Sequence, residues 1–327
     1  MERNSNVGDL ERLRLVLDYM PDEEFMRTLE RNRGKGRNDY PIRAVWNSIL
    51  AGIVFQHDSV EQLRRELMRN GQLREMCGFD GQVPPPWVYT RFLKTLMEHE
   101  WWIDGMFNHL VKSLSEVLPD FGKHLAMDSK AIWSFAKRKN KSESPDGRRD
   151  TDADYGKKKY TGVHEDGKPW EKIVKWFGYK LHLIVDATYE LPVLFSVTKA
   201  SEPDINEAHR SMKRMEEEQP ALLETAETMA ADKGYDDTKL VTTLWDRHQI
   251  KPVIDIRNCW KDGEETRLLS GKTNVVYNYK GNVYCVCPET EISHPISSFQ
   301  FHVDHRQDST STLKLLHHPM PKTSRQL

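Results

Sequence analysis

The sequence predicts an α/β protein, with an all-α N-terminal domain ahead of a sheet flanked by helices. Three observations predict this. Over the first ~120 residues, apolar side chains recur at helical spacing. From about Gly122 they alternate at period two. The second half then runs strand, strand, strand, helix, strand, helix, strand, the order of a sheet with helices on its faces.

The elements follow in turn. "VGDLERLRLVLDYM" places Leu10, Leu13 and Leu17 on one helical face. "YPIRAVWNSILAGIVF" opens with Pro41, suited to a first helical turn, and is apolar nearly all round, as a central buried helix would be. In "DSVEQLRREL", Ser59 and Gln62 have the spacing of a capping box, which turns Val60, Leu63 and Leu67 inward. "WVYTRFLKTLMEHEWW" is a further helix, with Phe92, Leu96 and Met97 expected inside. Short helices with Gly-containing turns suit a helix-turn-helix module and suit any helical bundle equally well. Arg27, Arg31, Arg33, Lys35, Arg37 and Arg43, against Glu30 and Asp39, tilt the region mildly toward DNA; a solvated linker is the alternative.

"HLAMDSKAI" is the first strand. "FGYKLHLIVDATYELPVLFSVTKA" is two strands about a turn, with Phe177, Tyr179, Leu181, Leu183 and Val185 on one face. A helix follows from about Asp204, then a short strand ending at Asp232. Another helix comes next, with Asp236 expected as its cap, and then the strand "KPVIDI". "NVVYNYKGNVYCVC" is a hairpin turning at Lys280-Gly281.

Bulk properties narrow the setting. With 38% hydrophobic and 30% charged residues in 327, a packed core sits under a heavily charged surface. The net charge of −2 neither implies nor excludes nucleic acid, since whole-chain charge hides local patches. The N-terminus lacks the apolar run of a secretion signal, and "ILAGIVF" is too short to span a bilayer, so no membrane is expected. Four cysteines in a chain this long make no disulfide framework, which fits a cytoplasmic location. Cys285 and Cys287, with Cys259, lack the partner spacing of a zinc site.

A polar insert, Lys137 to Trp170, separates the first two strands. Residues 137–180 hold 13 basic and 8 acidic side chains. The run Lys157, Lys158, Lys159 reads as part of a loop, either solvated or touching phosphate beside an active site.

Asp128 and Asp232 each end a predicted strand, and chain order lets those strands be neighbours. Ligands of open α/β sheets gather at such strand ends. Two carboxylates there suit Mg²⁺, a hard ion that accepts oxygen ligands and keeps water in its shell. Most strand-end aspartates are caps or turn residues, and Asp186 and Asp255 are read that way. His182 is read as a satisfied structural histidine.

"AMDSKAI", "FGYKLHLIVDATYELPVLFSVTKASEPD" and "MAADKGYDD", in this order, resemble the DDE transposases of bacterial insertion sequences, of the IS4/IS5-like and IS1182-like kind. "YPIRAVWNSILAGIVFQHDSVEQLRREL" resembles the helical domain preceding their catalytic part. The likeness runs from about Leu10 to Cys287. It implies an RNase H-like catalytic core with Asp128 and Asp232 as the first two catalytic, metal-holding acids, and Mg²⁺ or Mn²⁺ as cofactor. It also implies cleavage and joining of DNA at terminal inverted repeats and into target DNA, with a homo-oligomer when active. Location would be cytoplasmic, at the nucleoid. Residues 1–120 are then the helical, DNA-binding domain, 121–258 the core, and 259–327 a partial insertion with the hairpin and an irregular tail. DNA contacts are expected at Lys157, Lys158, Lys159, Lys233, Arg91 and Lys94; Lys233 and Tyr235 flank Asp232 and suit either phosphate contact or packing.

One part of the pattern is missing. The family's third acid, a Glu in a Y-x-x-R-x-x-x-E helix, has no match; Glu264, Glu265, Glu289 and Glu291 stand on no convincing helix. The expectation is a truncated or frameshifted copy, with foreign residues after about Thr290, possessing an incomplete core and reduced or no activity. A non-catalytic DNA-binding fragment that regulates an intact transposase, and an RNase H-like nuclease, are the alternatives.

Overall fold

The computed structural model describes residues 8–34, 38–136, 150, 152–164, 168–286 and 293–295. Expectations for Lys35, Arg37, most of the insert before residue 150, Cys287, Glu289, Glu291 and nearly all of the tail lie outside them. The chain divides into two compact units, Met1–Pro119 and Asp120–Leu327.

The described part of the first unit is helical: α1 (Asp9–Tyr19), α2 (Glu23–Arg33), α3 (Ile42–Val54), α4 (Val60–Arg69), α5 (Gly71–Cys77), α6 (Pro86–Met97) and α7 (Glu100–Val117). Its core holds Leu13, Phe25, Leu50, Leu63, Leu67, Tyr89 and Phe92. Helix α3 buries residues on most of its circumference, Ala44, Val45, Trp46, Ser48, Leu50 and Ala51 among them. Pro41 is its N-cap rather than a first-turn residue. Ser59 caps α4, accepting from Gln62 N at 3.3 Å, while Gln62 Oε1 accepts from Asp58 N at 2.8 Å, one residue earlier than a standard capping box. The buried carboxylate of Asp22 accepts from Arg43 and from Trp46 Nε1. Met97 corrects an expectation: it is 79% exposed at the last position of α6, while its neighbour Leu96 packs against the core.

The second unit is built on a mixed sheet: β1 (His124–Trp133), β2 (Asp154–Val163), β3 (Pro169–Asp186), β4 (Leu191–Lys199), β5 (Thr228–Ala231) and β6 (Lys251–Ile254). The order is β2-β3-β1-β5-β6, with β4 also paired to β3. β1 is antiparallel to β3 and parallel to β5, and β5 is parallel to β6. Helices α8 (Asp204–Glu218) and α9 (Pro220–Thr225) connect β4 to β5. A 3₁₀ turn (Lys233–Tyr235) and α10 (Thr238–Thr242), extended by a π-helical turn, connect β5 to β6. Strands β7 (Thr266–Leu268), β8 (Val275–Asn278), β9 (Val283–Val286) and β10 (Ser293–Pro295) form a separate antiparallel sheet that contains the expected hairpin.

Period two separates the faces of the main sheet. Leu125, Met127, Ile184 and Met229 are buried on the side of α8, whose Ala208, Met212 and Met215 are buried as well. Asp186 is fully buried at the end of β3 and accepts from the backbone N–H groups of Gly122, Thr188 and Tyr189 at 2.6–2.9 Å, the structural role expected of it.

Two more expectations are corrected. Lys157, Lys158 and Lys159 stand on strand β2, paired along an extended β3, and not in a loop. Asp237, not Asp236, caps α10, accepting from Leu240 N at 2.9 Å; Asp236 accepts from Arg257 N instead.

Candidate active site

The parallel pair β1–β5 runs in register to Met127↔Ala231. Asp128, expected at a strand end, instead follows Met127 in the middle of β1, which continues to Trp133; Asp232 is the first residue beyond β5, so the two positions, distant in sequence, become neighbours. Registered partners share a face, which groups Asp128 with Ala126 and Leu183, and Asp232 with Ala230, opposite the side of α8. Both carboxylates are exposed. Each has one local donor: Ser129 N to Asp128 Oδ1 at 2.7 Å, and Gly234 N to Asp232 Oδ1 at 2.7 Å. The second bond makes Asp232 the N-cap of the 3₁₀ turn. No cation pairs with either acid among the described residues.

Beneath the strand ends lies a polar layer. Asp204, the first residue of α8, accepts from Lys180 Nζ at 2.9 Å and stands 3.9 Å from His182 Nδ1. His182 is buried and bonded to Thr198 Oγ1 at 2.8 Å, the satisfied structural histidine expected. Burial lowers its pKa, with Asp204 and Glu207 acting in opposition. Tyr235 is 2% exposed, and its hydroxyl makes no well-formed hydrogen bond among the described residues, although the Ser129 hydroxyl lies near enough to act on it. Burial pushes its phenol up; the charge of Asp204 adds to this, the Ser129 hydroxyl works against it, and Asp128 and Asp232 add smaller increments. The phenol therefore belongs to the buried layer under the two acids, not to a surface that meets phosphate.

The remaining expected residues scatter. Lys233 is exposed next to Asp232. Lys157, Lys158 and Lys159 lie along β2, and Lys159 pairs with Glu171 at 2.5 Å. In the other unit, Arg91 and Lys94 are exposed on α6, with Arg91 5.1 Å from the Trp87 ring centre. Lys130, two residues from Asp128 and on its face, is exposed; the period of "HLAMDSKAI" was signal enough to find it. Asp204 and the depth of Tyr235 had no such signal.

The donor set fits a hard divalent ion. Mg²⁺ binds through one or two carboxylates and keeps waters, which two exposed, unpaired carboxylates on adjacent strands allow. Among the described residues, no group of three or more His, Cys, Asp or Glu is placed to hold a metal. Asp128 and Asp232 are thus the candidate ligands, without a third acid.

Comparison with known proteins gives the following. A family model described as "Transposase DDE domain" matches residues 122–318, running well past Thr290 into the tail that the sequence alone reads as foreign. No curated protein matches the chain. Two solved structures overlap it loosely. "Mos1 transposase paired-end complex with left transposon end" shares 14% identity at a TM-score of 0.23, covering 76% of this chain and 73% of that one. "Crystal structure of a pre-cleavage Mos1 transpososome" shares 13% at 0.21, with the same coverage. At these scores neither carries an argument.

Proposed function

Since the chain belongs to the DDE transposase domain family, matched over residues 122–318 of its 327, we propose that it is the DNA transposase of an insertion sequence. On this reading it cuts and transfers DNA strands at terminal inverted repeats. The observation that carries the proposal is the register of β1 and β5, which brings Asp128 and Asp232 to adjacent positions on one open face. The strand order β4-β3-β1-β5-β6, in which β3 alone runs opposite to the other four, supports an RNase H-like core.

Asp128 and Asp232 would hold Mg²⁺ or Mn²⁺. When bound, the ion supplies Lewis acidity for attack at a phosphodiester and for departure of the leaving oxygen. The chain's own residues do the rest. The parallel ladder fixes the separation of the two carboxylates, and the cap on Gly234 fixes the rotamer of Asp232. Lys130, two residues on along β1, and Lys233, next to Asp232 in the 3₁₀ turn, put positive charge near the two acids, where a phosphate backbone would pass. The Lys180–Asp204 pair neutralises charge below, leaving the two upper acids as the free anions of the site. The helices before residue 120, with Arg91 and Lys94 exposed on α6, are assigned to DNA binding, and the working form to a homo-oligomer at the nucleoid.

The test uses the full chain and a labelled duplex carrying a terminal repeat, with and without Mg²⁺. Wild type should nick the repeat end, whereas Asp128→Asn and Asp232→Asn should bind it equally well and leave it intact. Nicking by either variant at the wild-type rate would remove that residue from the site. A second reading is a DNA-binding regulator that does not cut, favoured by the absence of a third acid among the described residues. Repeat binding by wild type without nicking at any Mg²⁺ or Mn²⁺ concentration would select it.

A further inference from the structure

Beyond Gly178 the sheet continues as two strands alone. β2 and β3 pair from Asp154↔Gly178 to Val163↔Pro169, while β1 reaches its last registered partner at Trp133↔Gly178 and β4 ends at Tyr179↔Lys199. Ten residue pairs at about 3.3 Å each make a ribbon roughly 30 Å long. It leaves the sheet in the direction in which β1 runs on past Asp128, whose partner Leu183 lies five residues from Gly178.

The two faces of the ribbon differ. On one, Gly156 faces Trp176 and Gly162 faces Trp170, and a Cβ on either glycine would lie 2.3 or 2.5 Å from the opposing indole. Tryptophan therefore covers backbone on that face. On the other, Tyr155 packs on Phe177 with ring centres 5.2 Å apart, and Lys157 stands directly opposite Lys175. Along β3, period two links Lys175 and Phe177 to Leu183, which is the partner of Asp128. Like charges placed directly opposite destabilise a strand pair. The one acid on this face with a described side chain, Glu171, is taken by Lys159, and neither Lys157 nor Lys175 has an anionic partner among the described residues. An uncompensated ammonium pair on a projecting ribbon lacks a folding rationale, and a polyanion would supply the missing charge.

We propose that the Lys157/Lys175 face of the ribbon binds the phosphate backbone of duplex DNA flanking the position served by Asp128 and Asp232. This rests on the transposase reading for the identity of the polyanion. A two-stranded ribbon fits the major groove. A length of roughly 30 Å covers about nine base pairs. Contacts of this kind set position and not sequence.

Fluorescence anisotropy of the full chain on a labelled repeat-bearing duplex, across a salt series, tests the proposal. The double variant Lys157→Gln/Lys175→Gln should bind about ten-fold more weakly at low salt, and its slope of log affinity against log salt should shrink by about 1.8. The opposite-face control Lys172→Gln should stay close to wild type in both. Matching thermal melts for the two variants would tie the loss to binding. An unchanged slope in the first variant, or an equal loss in the control, overturns the proposal. So does lost self-association at unchanged slope, which would assign the ribbon to contact with a second copy. Salt-dependent ribbon binding by a wild type that never nicks DNA would sink the transposase reading and leave the ribbon assignment standing.

Discussion

Replacing Asp128 by Asn should stabilise the fold and abolish its response to Mg²⁺. Adjacent strands lie about 4.8 Å apart, which sets the scale of separation for two carboxylates on one face. At about 5 Å, two like charges repel by about 0.8 kcal/mol at the dielectric of water and about 3 kcal/mol at an effective dielectric near 20. Exposure of both acids puts the pair toward the lower figure, so about 1 kcal/mol is returned when one charge is removed. Asn conserves volume and can still accept from Ser129 N. For a unit of this size the gain corresponds to about 2–4 °C in Tm. Wild type at ten times its Kd for Mg²⁺ should itself gain about 1.4 kcal/mol, which the variant should lack. Differential scanning calorimetry of both proteins, in chelator and in Mg²⁺, reads all four states. A variant that melts lower than wild type in chelator would refute the repulsion, and equal Mg²⁺ shifts in the two proteins would refute the shared site.

Three further outcomes follow from the same geometry. Gly178→Ala should cost about 2–5 kcal/mol, because φ is +151° and a Cβ would meet Ile132 O at 2.1 Å; a melt within a degree of wild type would contradict the close approach of β1 to the ribbon's root. Tyr235→Phe should leave Tm within about 1 kcal/mol equivalent of wild type, since the buried hydroxyl has the Ser129 hydroxyl nearby and no well-formed hydrogen bond; a larger loss of stability would mean that the two hydroxyls bond in solution. Burial holds His182 below its ordinary value of 6.5, so the unfolded chain takes up this proton first as pH falls. Its contribution is present above that value and lost below it; wild type should therefore lose more Tm than His182→Gln between about pH 7 and about pH 5, and parallel curves would refute the assignment.

Much of the sheet is legible in the chain, and the failures have identifiable causes. "HLAMDSKAI" and "FGYKLHLIVD" announce β1 and the inner part of β3 by alternation at period two, but the apolar face read on β3, with Leu181, Leu183 and Val185, is only half-buried and lies on the Asp128 side, while the buried face carries His182, Ile184 and Asp186. Leu13, Leu63, Leu67 and Phe92 are buried as their helical spacing requires, whereas Met97 follows the same spacing and falls at the helix end, where periodicity no longer reports burial. β2 is invisible to that logic, since lysines occupy both its faces and no apolar stripe forms. A different signal was present: Gly156 and Gly162 are six residues apart, as are Trp170 and Trp176, the spacing of an antiparallel pair in which each indole lies over a glycine. The doublet Asp236-Asp237 offers two equal caps in sequence, and only backbone geometry selects Asp237. The register that brings Asp128 beside Asp232 depends on a parallel pairing between distant segments, which strand order permits but does not dictate.

How this protein treats its other acids separates a functional role for these two from the common fate of strand-end aspartates. Asp22 is buried against Arg43 and Trp46. Asp186 is buried and takes three backbone N–H groups. Asp204 has Lys180, and Glu207, nearly fully buried, has Arg210 and Ser196. Each is neutralised or solvated by the fold, as burial of a charge demands. Asp128 and Asp232 receive one short local N–H apiece and no described cation, although Lys130 and Lys233 stand nearby in sequence. A pure cap or turn residue explains that single bond for each acid separately. It does not explain why two such residues stand side by side on one face, each just past the last registered pair Met127↔Ala231, where they repel one another. A ligand that carries the opposite charge does explain it, and the basic ribbon projecting in the direction in which β1 runs on past Asp128 matches what such a ligand would bring with it.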